Sequence, residues 1–234
     1  MNNDMSSNRV SSLGRPSGNK KTLFALLKAV CGAALIGQVS SFAMAAVPPL
    51  TVNGNAVLVG GQKVSLEGAS LFWSTTGWGA EKFYTADSVK RIKTEFNGNL
   101  VRAAIAHKPC DGGCSGGVED GDANWNANMA RLDTVVQAAI DNDMYVIVDL
   151  HSHEAANSET NKQFAVKFFE AVARKWGGHN NVIYELYNEP LNRSWDNELK
   201  PYAEFVGGKI RAIDPDNLII MGTPNWTQIG RAHV

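Results

Sequence analysis

The stretch MYVIVDL at residues 144–150, the segment ETNKQFAVKFFEAVARKW at 159–176 and the stretch VIYEL at 182–186 decide how this chain folds. The two flanking runs are short, apolar and rich in β-branched and aromatic residues, which suits strands buried on both faces. The segment between them repeats its apolar residues three or four apart and stops at Gly177-Gly178, as an amphipathic helix does. Strand, helix and strand in that order make one parallel β-α-β unit.

The same alternation runs outward in both directions. Further strands are expected at 64–71, 99–105 and 218–221, and further helices at 86–96, 125–142 and 197–213, the last ended by Asp214-Pro215. Five strands joined by four crossover helices imply an α/β fold, either a doubly wound sheet or a (β/α)8 TIM barrel. A dinucleotide-binding sheet would need a Gly-rich turn after its first strand, and this chain instead reads Phe72-Trp73-Ser74-Thr75-Thr76-Gly77-Trp78. The strand ends carry polar and aromatic groups: Trp73, then Arg102 and His107, then Asp149, His151 and His153, then Asn188-Glu189-Pro190, then Trp226. Barrel enzymes gather their catalytic groups from the C-terminal ends of several strands, so the barrel is the better reading.

The sharpest motif is Tyr184-Glu185-Leu186-Tyr187-Asn188-Glu189-Pro190. Pro190 cannot donate to a ladder and stops the strand, leaving Glu189 at the rim of the sheet, where a carboxyl can be partly desolvated and act as a general acid. Asn188 beside it offers an amide to a sugar hydroxyl. The bland alternative is a loop start with an exposed carboxylate.

Taken together, VRAAIA with Arg102, VIVDLHSH with His151, YELYNEP with Glu189 and IIMGTPNW with Trp226, in this order, resemble glycoside hydrolase family 5, and most nearly its bacterial endo-β-1,4-glucanases. The resemblance covers residues from about 47 to 228. It implies a (β/α)8 barrel, a retaining two-glutamate mechanism without cofactor or metal, and a β-glucan substrate. On that basis the catalytic set is Glu189 as acid/base, Asn188 at the neighbouring hydroxyl, Arg102 beneath the nucleophile and His151 at the cleavage point; Trp226, His153 and Trp73 bind substrate. Each has a structural alternative: Arg102 as a barrel-interior ion pair, His151 as a hydrogen-bonded structural histidine, Trp226 as packing. The chain departs from the family at Asp149-Leu150-His151, where Asp-Trp-His is common, and around Ala106-His107, where an aromatic is often found.

Two readings compete with it. His151-Ser152-His153-Glu154 also suits a metal-dependent hydrolase, which needs at least a third ligand from another strand. The tryptophans Trp73, Trp78, Trp125, Trp195 and Trp226 also suit a non-catalytic carbohydrate-binding protein, although such modules are usually β-sandwiches.

Residues 1–45 read as a signal peptide: a basic leader, an apolar run interrupted by Lys28, and Ala43-Met44-Ala45 as the cleavage site. The uninterrupted run is shorter than the ~20 residues that span a bilayer, so a secreted protein, extracellular or periplasmic, without a membrane anchor is expected. The leader holds five of the 22 basic residues and one of the 23 acidic ones, leaving a body of net charge −5. Such a body has no basic patch for phosphates, which excludes nucleic acid as partner; a monomer is expected. In CDGGC, Cys110 and Cys114 read as a disulfide closing a small Gly-rich loop, the alternative being two free thiols.

Five strands fall short of the eight in a barrel, and the 189 residues after the leader fall short of the ~250 of a whole one. The domain is therefore expected to be a partial catalytic domain over 46–228, truncated after about the fifth strand and inactive for want of the nucleophile-bearing half. Residues 229–234, Ile-Gly-Arg-Ala-His-Val, resemble a translated sequencing adapter and are expected to be a non-native tail.

Overall fold

The computed structural model describes residues 47–75, 79–108 and 116–227. It opens with an antiparallel meander, β1 (Leu50–Asn53), β2 (Ala56–Val59) and β3 (Gln62–Lys63). A second, parallel sheet follows in the order β4 (Gly68–Ser70), β5 (Leu100–Ala106), β6 (Tyr145–His151), β7 (Val182–Glu185) and β8 (Ile219–Ile220). Helices α1 (Ala86–Phe96), α2 (Asp122–Asp141), α3 (Glu159–Trp176) and α4 (Lys200–Arg211) link these five strands in turn. Each strand pairs with the next in sequence and the order never reverses, so the sheet is laid down as a (β/α)8 barrel is, without the switch point of a doubly wound fold. Five barrel strands are present among the described residues, and β4 and β8 each pair on one side only.

Helices α1 and α3 begin and end where the sequence places them. Thr85 caps α1, its Oγ1 accepting from the Ser88 amide at 3.2 Å, and Ser158 caps α3 through the Asn161 amide at 3.1 Å. Helix α2 starts three residues earlier than expected, behind Gly121 at φ 94°, with Asp122 favourably placed in its positive first turn. The expected helix over 197–213 divides into a π-helical turn, Trp195–Leu199, and α4, whose first turn tolerates Pro201 because no amide is needed there. The expected strand over 64–71 shortens to β4. Its first part stays with the meander, where the Val64 amide donates to the Val57 carbonyl at 3.1 Å.

Alternation along the parallel strands divides their side chains between two environments. Val101, Ala103 and Ile105, then Val146, Val148 and Leu150, then Val182, Tyr184 and Leu186 pack against Leu132, Val136, Phe168, Phe169 and Val206 of the helices. The opposite face carries Leu100, Tyr145, Ile147 and Ile183 at its lower end. These join Val47, Leu50, Val57 and Val59, so the meander plugs the N-terminal end of the sheet. Hydrogen bonds from Tyr145 Oη to the Pro48 carbonyl (2.8 Å) and from Asn180 Nδ2 to the Val47 carbonyl (3.0 Å) fasten the plug. Sequence reading left the meander out, though its turns, Gly54-Asn55 and Gly60-Gly61, are two-residue hairpin signals; Gly60 and Gly61 have φ of 55° and 81°, as such a turn requires.

Buried tyrosines fix the other end. Tyr84 Oη donates between the Phe72 and Ala104 carbonyls, 2.8 Å from each. Tyr202 Oη reaches the Leu186 carbonyl at 2.7 Å, while at the N-terminal end Tyr184 Oη donates to the Asp214 carboxylate at 2.6 Å. No helix among the described residues is long and apolar enough to cross a membrane.

His107, just past β5, is 1% exposed, stacks on Phe164 at 5.0 Å and meets Ser152 Oγ through Nδ1 at 2.9 Å. Burial, helped by Lys108, pushes the imidazole down to about 4. Its folded value lies below its unfolded one, so it contributes stability above pH 6.5 that is lost as pH falls towards 4. In that window the loss is about 1.4 kcal/mol per pH unit. Denaturant unfolding between pH 6.5 and 4.5 is expected to show wild-type stability falling more steeply than that of His107→Gln by that amount; parallel lines would contradict this placement of the imidazole.

Candidate active site

The C-terminal end of the parallel sheet reverses the chemistry of the plugged end. The face that carries Leu100, Ile147 and Ile183 below carries Arg102, Asp149 and Glu185 above, on three adjacent strands. Asp149 pairs in register with Glu185, and Ser70 of β4 with Arg102. Ala104, next along the same face of β5, is small enough to let the arginine lean over it towards Asp149, its own register partner.

Arg102 spends its donors on acceptors from three neighbouring strands. Nε and Nη2 reach the two oxygens of Glu185 at 2.6 and 3.1 Å, Nη2 also meets Asp149 Oδ2 and Asn188 Oδ1 at 2.8 Å each, and Nη1 reaches Ser70 Oγ at 3.3 Å. Burial opposes the guanidinium charge, but Asp149 and Glu185 outweigh it and raise Arg102 above its ordinary value. The carboxyls are raised too. Burial pushes Asp149, fully enclosed, up to about 7 against the pull of Arg102, and burial together with Asp149 raises Glu185. One cation among two buried carboxylates leaves an excess negative charge, which disfavours full ionisation of both carboxyls.

His151 completes this layer. Its Nδ1 lies 2.6 Å from Asp149 Oδ2, the oxygen that also accepts from Arg102, so Nδ1 carries the proton and Nε2 is left as an acceptor. Burial, then the charges of Arg102 and His153, push His151 down to about 3.

Above this layer, His153 Nε2 lies 3.1 Å from Glu189 Oε2. Trp73 sets its edge against both histidines, with ring centroids 4.7 Å from His151 and 6.0 Å from His153. A cleft of about 360 Å³ opens here, lined by Trp73, Arg102, His151, His153, Asn188 and Glu189, together with residues 70–72. Six of the seven residues expected to act on or bind substrate thus share one cleft. The exception is Trp226, which is 56% exposed and does not line it. It lies in a turn, 225–227, whose three residues all have φ near +60°. Such left-handed residues cost about 1–2 kcal/mol each, offset here by bonds from the Asn225 and Trp226 amides to the Leu191 and Pro190 carbonyls and from Thr227 Oγ1 to the Asn188 carbonyl. The turn therefore braces the Asn188–Leu191 segment. Cys110 and Cys114 lie outside the described residues, as do the leader and the tail.

Glu189 lies at the rim, partly desolvated as expected, with its side chain 44% exposed. Far more deeply desolvated is the Arg102–Asp149–Glu185 cluster, and sequence reading gave neither of its carboxylates a role. The available signal was a single acid at an inward-facing position of an otherwise apolar strand, Glu185 after Ile183 and Asp149 after Ile147. The Nδ2 of buried Asn188 has no hydrogen-bond partner, which leaves one donor at the cleft unspent. In the His151-x-His153 pair, Nδ1 of the first and Nε2 of the second are each engaged by a carboxylate. No group of three His, Cys, Asp or Glu side chains suited to a metal occurs among the described residues.

Known proteins similar to this chain include cellulases. Residues 57–234 match the family model described as cellulase, glycosyl hydrolase family 5. Endoglucanase Z of Dickeya dadantii is 52% identical over 189 residues, which cover 81% of this chain and 42% of that protein. A solved structure from Cytophaga hutchinsonii superposes with a TM-score of 0.69 at 39% identity, over 77% of this chain and 55% of that one. The catalytic domain of Thermobifida fusca endoglucanase Cel5A superposes with a TM-score of 0.66 at 28% identity, over 76% of this chain and 54% of that one, and has also been solved with cellotetraose. The chain spans about half the length of these relatives. It belongs to the cellulase family, glycosyl hydrolase family 5.

Proposed function

We propose that this chain is the acid-bearing part of a secreted, retaining endo-β-1,4-glucanase. The observation that carries the reading is the grouping of Arg102, Asn188, Glu189, His151 and Trp73 in one cleft at the C-terminal end of a parallel sheet, where barrel enzymes hold their catalytic groups. Among its relatives are proteins named endoglucanase, and one neighbour has been solved with a β-glucan oligosaccharide.

In this reading Glu189 gives its proton to the glycosidic oxygen as the bond from that oxygen to the anomeric carbon breaks. A second carboxylate attacks the same carbon and forms a glycosyl ester. Water then displaces the ester and passes its proton to Glu189, which returns to its starting state. The unspent Asn188 amide donates to the hydroxyl beside the reacting carbon, and Trp73 packs on a sugar face. A retaining enzyme needs its nucleophile about 5 Å from the acid/base. Glu185 and Asp149 are both committed to Arg102, so the nucleophile belongs to the part of the relatives' barrel that this chain does not span. Arg102, held beneath that position, is the cation that keeps it ionised. A Cys110–Cys114 disulfide and a monomeric, exported body complete the proposal.

Three outcomes follow. The purified 234-residue chain does not hydrolyse soluble β-glucan above background; robust hydrolysis that Glu189→Gln abolishes would contradict the missing nucleophile. In the parent enzyme, Glu189→Gln lowers kcat on β-glucan by about 10²–10⁴-fold, and a chelator leaves the rate unchanged; chelator-sensitive hydrolysis would favour a metal held by His151 and His153. N-terminal sequencing of the exported protein begins at Ala46, and an intact Met1 on exported protein would count against the signal peptide.

A further inference from the structure

Resting on the assignment of Glu189 as the acid, we infer that His153 is the positioning residue that orients this carboxyl for proton transfer. Glu189 is nearly half exposed, and His153 is its one ion-pair partner among the described residues, through Nε2 and Oε2 at 3.1 Å. A free carboxyl turns about its terminal torsion and offers either oxygen to the cleft. With Nε2–H donating to Oε2, the other oxygen is left to carry the proton towards the glycosidic oxygen. As that proton leaves, charge grows on the carboxylate and the same Nε2–H bond strengthens, so it favours the transition state over the ground state.

The imidazole is itself held. Tyr187 Oη, on the strand extension two residues before Glu189, lies 2.6 Å from the His153 carbonyl. Trp73 and His151 set their rings 6.0 and 6.4 Å from the His153 ring. The strand end that carries the acid therefore also anchors the backbone of the residue that orients it, and the Glu189–His153 spacing is fixed within one small unit.

The test has two arms. In the 234-residue chain, long-range ¹⁵N NMR of labelled histidine at pH 8 is expected to find His153 as the Nε2–H tautomer; a bare Nε2 would overturn the inference. In the parent enzyme, glycosylation rates are compared on cellotetraose, whose leaving group needs a proton, and on dinitrophenyl β-cellobioside, whose leaving group does not. His153→Ala is expected to lose at least tenfold more on cellotetraose than on the activated substrate, and His153→Gln, which keeps an N–H donor, to recover most of that loss. Equal losses on both substrates, with Glu189→Gln still selective for cellotetraose, would overturn the role of His153 alone. If Glu189→Gln also lost equally on both, the acid assignment would fail and the role of His153 with it.

Discussion

The open end of this sheet depends on one guanidinium. Arg102 reaches from β5 to Ser70 on β4, Asp149 on β6, Glu185 on β7 and Asn188 just beyond β7, so one side chain ties four strands at the level of the cleft. A planar fork of five donors does this where an ammonium group would not. The arrangement has a cost. Three ionisable groups leave water together, and the raised carboxyls are the measure of that desolvation. In return, Asn188 has its Oδ1 fixed and its Nδ2 aimed without a partner, and the segment that follows, with Glu189, leaves the sheet in one direction.

The rest of the architecture isolates that cluster. Below it the meander seals the sheet interior with Val47, Leu50, Tyr145 and Ile183, so the inner face passes from fully apolar to ionised within a few residues of each strand. On the outer face, the helix-packed core holds the strands in register, and Tyr84 and Tyr202 bind carbonyls at the strand ends. Above it His151, the half-exposed His153–Glu189 pair and Trp73 form the wall of the cleft. Buried charge fixes position, and the more exposed groups above it face the cleft.

Much of this was legible in the sequence, for physical reasons. Strands such as YVIVDLH are apolar on both faces because helices cover one side and the barrel interior the other, and α1 and α3 carry side-chain caps at the expected residues. The meander escaped because its residues are mostly half-buried or exposed and its strands are two to four residues long, leaving two Gly-containing turns as the whole signal. Glu185 escaped because Asn188-Glu189-Pro190, three residues on, holds the more conspicuous acid. Burial depends on which face of β7 a residue takes, and an inward carboxylate reads as an interruption until an arginine on another strand is seen to meet it. For Trp226 the motif located the residue but not its direction, which follows from the left-handed turn that braces the Asn188–Leu191 segment.

The account stands most directly on the claim that Arg102 neutralises buried carboxylates rather than decorating them, and a double-mutant cycle on the stability of the 234-residue chain tests it. Removing one partner of a buried ion pair costs about 3–5 kcal/mol, and Arg102→Met is expected to fall in that range because Asp149 and Glu185 are left facing each other. Adding Glu185→Gln to Arg102→Met should then recover stability, since the second change removes a charge that has lost its partner. Losses that simply add in the double variant would contradict the claim.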